Sequence, residues 1–234
     1  MDVTRYTRTR TESRSATTGL QASSWCHQCG SPPPGSQNST HLRVGIDSSI
    51  PRWVPGSTVR YVFCAKTFSD PNLAAFVSAK LFKAALMWKN KGVTFEHARP
   101  GHEATFKVVY LEDGGINPLA SSFFPNRGPA EARTLCIYQA ALAQPHIKYL
   151  ANVLAHELGH ILGLRHEFAG LFEADSVRWG RSNRDSVMNY HAKLRRYRVQ
   201  KQDLVDLESF YSSTKTKHRG LPIYTLHPPT YLYD

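Results

Sequence analysis

The chain has 234 residues, 41% of them hydrophobic and 20% charged, and is long enough to form one large domain or two small ones with a substantial core. No apolar run approaches the roughly 20 residues that a transmembrane helix needs, so we expect no membrane contact. The formal net charge is +11, but no zinc-finger, RRM or helix-turn-helix pattern accompanies it, so we expect no nucleic acid as a partner.

The first and last segments are predicted to lie outside the folded domain. Residues 1–44 are rich in Ser, Thr, Pro and Gly and show no hydrophobic periodicity, which is typical of a disordered tail or a propeptide. Their Arg-rich beginning contains no apolar stretch of the kind that a secretory signal peptide has. The composition changes at Gly45, so we predict a folded domain over 45–215 and a C-terminal tail over 216–234.

The folded domain is predicted to begin with a strand and a long helix. Alternating apolar residues make 57–63 (STVRYVF) a strand candidate. Asp70 is suited to cap a helix that has Pro71 at its first position, and Gly92 is a natural stop. The apolar residues that would form the buried face of this helix are Leu73, Phe76, Val77, Leu81, Ala84 and Trp88.

Four further strands and two helices are predicted in the rest of the domain. The strand candidates read VTFEHA, TFKVVYLE, LASSFF and TLCIY. A second helix is expected from about His146 through Leu162, where Gly163 ends it, and a third is expected over 199–211. This order favours an α+β fold with one mixed, twisted sheet backed by helices.

The segment NVLAHELGHILGLRHEF combines an apolar helix with three histidines and a glutamate. His156 and His160 are one helical turn apart, so their imidazoles face the same side and can share one metal ion. Gly163 can take the positive φ that turns the chain back and brings His166 to the same ion. Three ligands and an open position for water are typical of a catalytic zinc site, in which Glu157 would be the general base.

This H-E-x-x-H-x-x-G-x-x-H pattern resembles the zinc-binding motif of metzincin proteases, and the resemblance extends over roughly 50–212. Downstream, SVMNY resembles the Met-turn of that family, whose methionine, here Met188, forms an apolar floor under the histidines. Tyr190 stands where astacins and serralysins, two metzincin branches, have a tyrosine that binds zinc and then stabilises the tetrahedral intermediate. The resemblance implies a metzincin-type zinc metalloendopeptidase domain with one catalytic Zn²⁺. Its metal ligands would be His156, His160 and His166, and its catalytic residues would be Glu157 and Tyr190.

Two shorter segments resemble particular branches of the family. Glu167 matches a glutamate of astacins that meets the new N-terminus formed on activation, and a solvated or structural carboxylate is the alternative. NPLASSFFP, at 117–125, resembles the substrate-binding edge strand of matrixins. The resemblance implies that 119–123, with Ser121 and Ser122, offer backbone groups to a protein or peptide substrate bound in extended form. Such binding favours cleavage of internal bonds.

The four cysteines leave more than one interpretation open. Cys64 and Cys136 fall in strand-like stretches, where they could form a disulfide or remain core thiols. Cys26 and Cys29 form a C-x-x-C pair in the N-terminal tail. These two cysteines could have no function, could form half of a zinc site, or could supply a thiolate that blocks the catalytic metal. In the last case Cys29→Ser should raise the activity of the full chain.

Three functions compete on the sequence alone. An active zinc endopeptidase is favoured, because an inactive relative would not need Glu157 or Tyr190. A zinc-binding pseudoenzyme or protein-interaction module with the same fold is the alternative. A basic nucleic-acid-binding protein is the third, and it depends on the charge alone. We expect a monomer, and the family resemblance favours secretion although the sequence begins without a signal peptide.

Overall fold

The computed structural model of the chain describes residues 41–99, 101–112, 118–167, 175–191 and 193–233. Within these ranges the chain forms four α-helices and eleven β-strands. The helices are α1 (Pro71–Met87), α2 (Gln139–Leu142), α3 (Leu150–Ile161) and α4 (Lys201–Ser212). The strands are β1 (His41–Val44), β2 (Ile50–Trp53), β3 (Thr58–Phe63), β4 (Thr94–His97), β5 (Phe106–Leu111), β6 (Ala120–Ser121), β7 (Thr134–Tyr138), β8 (Leu164–Arg165), β9 (Val177–Ser182), β10 (Lys217–His218) and β11 (Leu221–Leu226).

A five-stranded sheet in the order β4-β3-β5-β7-β6 lies at the centre of the fold. β3, β4, β5 and β7 are parallel, and β6 pairs antiparallel with β7 at one edge. Buried residues of this sheet share one hydrophobic core with α1 and α3; the sheet members include Val59, Tyr61, Phe106, Val108, Leu135 and Ile137. The predicted α+β fold is confirmed, with its mixed sheet, long first helix, central helix and C-terminal helix. No helix in the described ranges is long and apolar enough to cross a membrane.

Helix α1 begins where the sequence predicts. The Asp70 carboxylate accepts a hydrogen bond from the Asn72 N–H at 2.8 Å, and Pro71 occupies the first position, where its missing N–H costs nothing. The buried residues are Ala74, Val77, Leu81, Ala84 and Ala85. Phe76 was predicted on this face but is 37% exposed. It precedes Val77 by one residue and so lies about 100° around the helix from the buried stripe.

Three side chains from other elements fix the position of α3. The Trp88 indole N–H donates to a carbonyl within α3 at 2.9 Å. At the C-terminal end of the helix, the Trp53 indole N–H donates to the Ile161 carbonyl at 2.8 Å. The Tyr211 hydroxyl donates to the Leu162 carbonyl at 3.1 Å. The last carbonyls of a helix have no partners within the helix, so the bonds from Trp53 and Tyr211 satisfy two of them. All three bonds anchor α3 to its neighbours.

Two three-stranded sheets, which the sequence analysis did not predict, complete the described fold. In the first, β1 pairs antiparallel with β8 and β9, and Leu42 and Val44 are buried. The prediction that 1–44 is a tail is therefore wrong for its last four residues. Such a short strand shows no recognisable alternation against the polar sequence before it. Residues 1–40, with the predicted C-x-x-C pair, lie outside the described ranges.

The second small sheet, in the order β10-β11-β2, includes much of the predicted C-terminal tail. β11 pairs in parallel with β2, with Leu226 beside Trp53. Further along, the Tyr233 hydroxyl donates to the Thr105 carbonyl of the central sheet region at 3.0 Å. The prediction of a tail over 216–234 is therefore wrong from β10 onward. The partner of β11 lies near the other end of the folded chain, where no local sequence pattern reveals it.

Tyr233→Phe tests whether the C-terminal segment stabilises the domain. Loss of the hydrogen bond to Thr105 should lower the free energy of unfolding near neutral pH by about 1 kcal/mol. Burial raises the pKa of Tyr233 to about 12. A raised pKa contributes stability that is complete below the unfolded-state pKa of about 10 and is lost as the pH rises through the folded-state pKa. As the pH rises from about 10 to about 12, the free energy of unfolding should therefore fall less in Tyr233→Phe than in the parent.

Urea unfolding near neutral pH and again at about pH 11 measures both effects. An identical loss of stability in parent and variant on the alkaline side would contradict the assigned burial of the Tyr233 hydroxyl.

Cys64 and Cys136 are both free thiols. Cys136 pairs in register with Val109 of β5, and the Cys64 N–H donates to the Val108 carbonyl on the other side of β5 at 2.9 Å. The two cysteines are thus about 9.5 Å apart, or two strand spacings, whereas a disulfide needs Cα atoms within about 7 Å. Of the two interpretations, the structure supports core thiols.

Candidate metal centre and active site

Helix α3 and the turn after it carry the candidate metal ligands. The side chains of His156, Glu157 and His160 are fully buried within α3. Gly163 has a φ of +91°, and a Cβ at this position would lie 2.7 Å from a backbone oxygen of β2. Glycine is the residue that fits such a turn without strain. The chain reverses there into β8, which pairs with β1, and His166 follows directly beside the helix.

The three histidines converge on one point through their Nε2 atoms. Nε2 of His156 lies 3.2 Å from Nε2 of His160 and 3.3 Å from Nε2 of His166. Two ligand nitrogens of a tetrahedral zinc ion, each about 2.0–2.1 Å from the metal, lie about 3.3–3.4 Å apart. The observed separations fit that geometry. Among the described residues, this is the group of His, Cys, Asp or Glu side chains placed to share an ion.

Backbone carbonyls orient two of these imidazoles. His156 Nδ1 is 2.7 Å from the Val187 carbonyl and His160 Nδ1 is 2.8 Å from the Leu164 carbonyl. Each Nδ1 therefore carries the proton and donates it, which leaves the Nε2 lone pair for a metal. Burial and the neighbouring histidines lower the pKa of His156 to about 3, and they lower the pKa of His160 as well. The imidazoles of His156 and His160 are thus neutral, as metal ligation requires.

Glu157 lies beside the ligands and contacts a serine that the sequence analysis assigned only to an edge strand. The Ser122 hydroxyl is 2.8 Å from Oε2 of Glu157 and 3.0 Å from its backbone oxygen. Both residues are fully buried. Ser122 directly follows β6, so this contact connects the edge of the central sheet to the predicted general base.

The predicted Met-turn packs directly under α3. Met188 is fully buried, and a Cβ on Gly159 would lie only 2.3 Å from its sulfur atom. Gly159 is placed between the two helical histidines, so its missing side chain makes room for the methionine. On the other side, the Glu167 N–H donates to the Met188 carbonyl at 3.2 Å. The Met-turn is thereby joined to the segment that carries the third histidine.

Tyr190 stands beside the histidine cluster. Its ring centroid lies 4.7 Å from that of His166 and 6.0 Å from that of His156. The side chain is half-buried, so it has both contact with the cluster and access to solvent. Its predicted role in catalysis stays a prediction.

Asp203 is a contributor to the site that the sequence analysis missed. Its carboxylate accepts hydrogen bonds from the Gln200 N–H at 2.8 Å and from the Val187 N–H at 3.1 Å. The first bond belongs to a capping box at the start of α4. The Val187 carbonyl in turn accepts a hydrogen bond from His156 Nδ1–H. Asp203 therefore holds the residue whose carbonyl orients a candidate ligand. The sequence analysis predicted a helix over 199–211, but neither this capping box nor its contact with the Met-turn.

Asp203→Ala is expected to weaken zinc binding by about 10- to 100-fold, the usual effect of removing a partner that orients a metal ligand. The affinity can be measured by competition with a chromophoric chelator. Gln200→Ala is the matched control, since it removes the other half of the capping box without touching Val187. Equal zinc affinities in the two variants would mean that Asp203 acts only as a helix cap.

Glu167 lies below the Met-turn in a group of acidic residues. It is fully buried, and burial together with nearby Asp203 and Asp206 raises its pKa to about 9. A solvated surface carboxylate, one of the two alternatives to the astacin-like role, is therefore excluded. A structural carboxyl group within the domain fits the observed burial.

Comparisons with known proteins give one matching family model and two structures of similar fold. Residues 141–214, which include α3 and the Met-turn, match the model of a family described as Met-zincin. A solved structure of myroilysin has a TM-score of 0.52 and 14% sequence identity, covering 74% of this chain and 100% of that chain. A crystal structure of myroilysin gives a TM-score of 0.49 at 14% identity, covering 69% of this chain and 86% of that one. No curated protein matches the chain in sequence.

Proposed function

We propose that the chain is a zinc-dependent endopeptidase that hydrolyses internal peptide bonds. The Met-zincin family match over 141–214 and the similar fold of myroilysin support a metallopeptidase-type function. The observation that carries this proposal is the convergence of three imidazoles, with Nε2 separations of 3.2 and 3.3 Å, beside a buried glutamate. His156, His160 and His166 would hold the ion. When bound, zinc supplies a Lewis acid that activates a water molecule and polarises the scissile carbonyl.

Glu157 is the proposed general base and acid. It neighbours His156 in sequence but is not one of the three side chains placed to share an ion, so its carboxylate can accept a proton instead. It takes the proton of the attacking water and then gives it to the leaving amine. Tyr190, beside His166, is proposed to donate a hydrogen bond to the oxygen on which negative charge develops.

The proposed substrate is a protein or peptide segment in extended conformation. β6 is an edge strand of the central sheet. One side of it pairs antiparallel with β7, and among the described strands none pairs with its other side. The backbone groups of 119–123 are therefore proposed to pair with the substrate as one more strand. An extended substrate can continue past both ends of such a short strand, which favours an endopeptidase.

Hydrolysis of unfolded casein by the full chain tests the proposal. The zinc-loaded protein should produce internal fragments, a chelator should stop the cleavage, and added zinc should restore it. Release of single terminal residues would contradict the endopeptidase assignment. One bound zinc per chain with no cleavage of casein or of a mixed peptide library would instead favour the pseudoenzyme alternative.

A further inference from the structure

Ser122 places a hydroxyl group on the predicted general base. Its oxygen has two possible acceptors, Oε2 of Glu157 at 2.8 Å and the backbone oxygen of the same residue at 3.0 Å. A serine hydroxyl has one proton to donate, and a charged carboxylate oxygen is a stronger acceptor than a carbonyl. When the Glu157 carboxylate is ionised, the shorter contact, to Oε2, is therefore the hydrogen bond expected.

Ser122 directly follows a residue that is anchored in the central sheet. Ser121, the preceding residue, is in register with Cys136 of β7, and its hydroxyl lies 3.0 Å from the hydroxyl of Tyr138. Ser122 itself is fully buried. Glu157, by contrast, extends from a helix through a side chain with three rotatable bonds. Holding that side chain in one rotamer costs conformational entropy. A buried hydroxyl next to an anchored strand is suited to select that rotamer.

We propose that Ser122 is a positioning residue for catalysis, which holds Oε2 of Glu157 and thereby fixes the direction of the other carboxylate oxygen. This inference rests on the proposed function of Glu157 as general base. Proton transfer is sensitive to the placement of the base, so the contact acts on the chemical step. It also links the base to β6, the strand proposed to bind the substrate.

Ser122→Ala in the full chain is the direct test. The variant should have a kcat for a fluorogenic peptide that is about 10- to 100-fold lower, equivalent to about 1.4–2.8 kcal/mol in the barrier. KM and zinc content should match those of the parent, because the hydroxyl contacts neither the ligands nor the peptide. The melting temperature should fall by only about 2–4 °C, as expected for the loss of one buried hydrogen bond. An unchanged kcat would overturn the inference. A fall in kcat that is explained by an equal loss of bound zinc, or by unfolding of the variant at the assay temperature, would overturn it too, since the serine would then be only structural.

Ser57→Ala is the matched control. Ser57 also has a buried hydroxyl oxygen, which makes no hydrogen bond within the described structure. It lies beside β4, at the opposite edge of the central sheet from β6, where its carbonyl accepts from the Thr94 N–H at 3.0 Å. The same loss of one hydroxyl at this position should leave kcat unchanged. An equal fall in kcat in both variants would contradict a specific role of Ser122.

A second measurement does not depend on activity. Crystal structures of the zinc-free parent and of Ser122→Ala should show Glu157 in one rotamer in the parent and in more than one in the variant. The same single rotamer in both would overturn the inference. A parent that binds zinc but cuts no peptide would remove the proposed function, and the rotamer comparison would still decide whether Ser122 positions Glu157.

Discussion

Glu157→Gln should lower kcat for peptide hydrolysis by about 10²- to 10⁴-fold, the range over which a positioned general base accelerates a reaction. Glutamine has nearly the same shape, and its amide oxygen can still accept a hydrogen bond from Ser122. The amide cannot take a proton from water, however. Because the metal would be held by the three imidazoles, zinc content should stay at one ion per chain. Steady-state kinetics and elemental analysis of the same preparations measure both quantities.

The control for this result is the same change at a glutamate that lies away from the site. Glu208 is on α4 and pairs with Lys91 at the surface at 2.6 Å. Glu208→Gln should leave kcat within about twofold of the parent, because a surface ion pair contributes at most about 1 kcal/mol to stability and takes no part in proton transfer. If Glu157→Gln retained parental activity, proton transfer would have to be assigned to another group.

The parts of the site that the sequence predicts are those fixed by local geometry. His156 and His160 share a face because a helix repeats every 3.6 residues, and Gly163 marks the turn because its φ of +91° suits glycine. The same holds for the start of α1, where the cap at Asp70 depends on residues next to it. Each of these features is decided within a few residues of sequence. Local rules are sufficient for them.

The parts that the sequence does not predict depend on contacts between distant segments. Ser122 and Asp203 appear in ordinary strand and helix patterns, and their contacts with Glu157 and Val187 exist only once the chain has folded. The same applies to β1, which pairs with β8 and β9, and to β11, which pairs with β2. Short strands carry little periodicity, and no local pattern identifies their partners. The boundaries predicted at Gly45 and at residue 216 were wrong for this reason.

Gly159→Ala should destabilise the domain, although alanine is the better helix former. In a helix interior this change usually stabilises by about 0.5–1 kcal/mol. Here the new Cβ would lie 2.3 Å from the Met188 sulfur and 3.1 Å from a ring carbon of Trp88. Overpacking of a buried site costs about 1–3 kcal/mol, so the clash should exceed the helix-forming gain. We expect a net loss of about 1–2 kcal/mol in the free energy of unfolding of the zinc-free protein.

Met188→Ala provides the means to separate the clash from any other effect of Gly159→Ala. Alone, it should leave a cavity under the histidines and cost about 2–5 kcal/mol. In the double variant the methyl group of Ala at 159 enters that cavity, so the combined loss should be smaller than the sum of the two single losses by about 0.5–3 kcal/mol. Strict additivity in urea unfolding would mean that helix and Met-turn do not touch at this point. Each single variant should also bind zinc more weakly than the parent, because displacement of Met188 moves the Val187 carbonyl that orients His156.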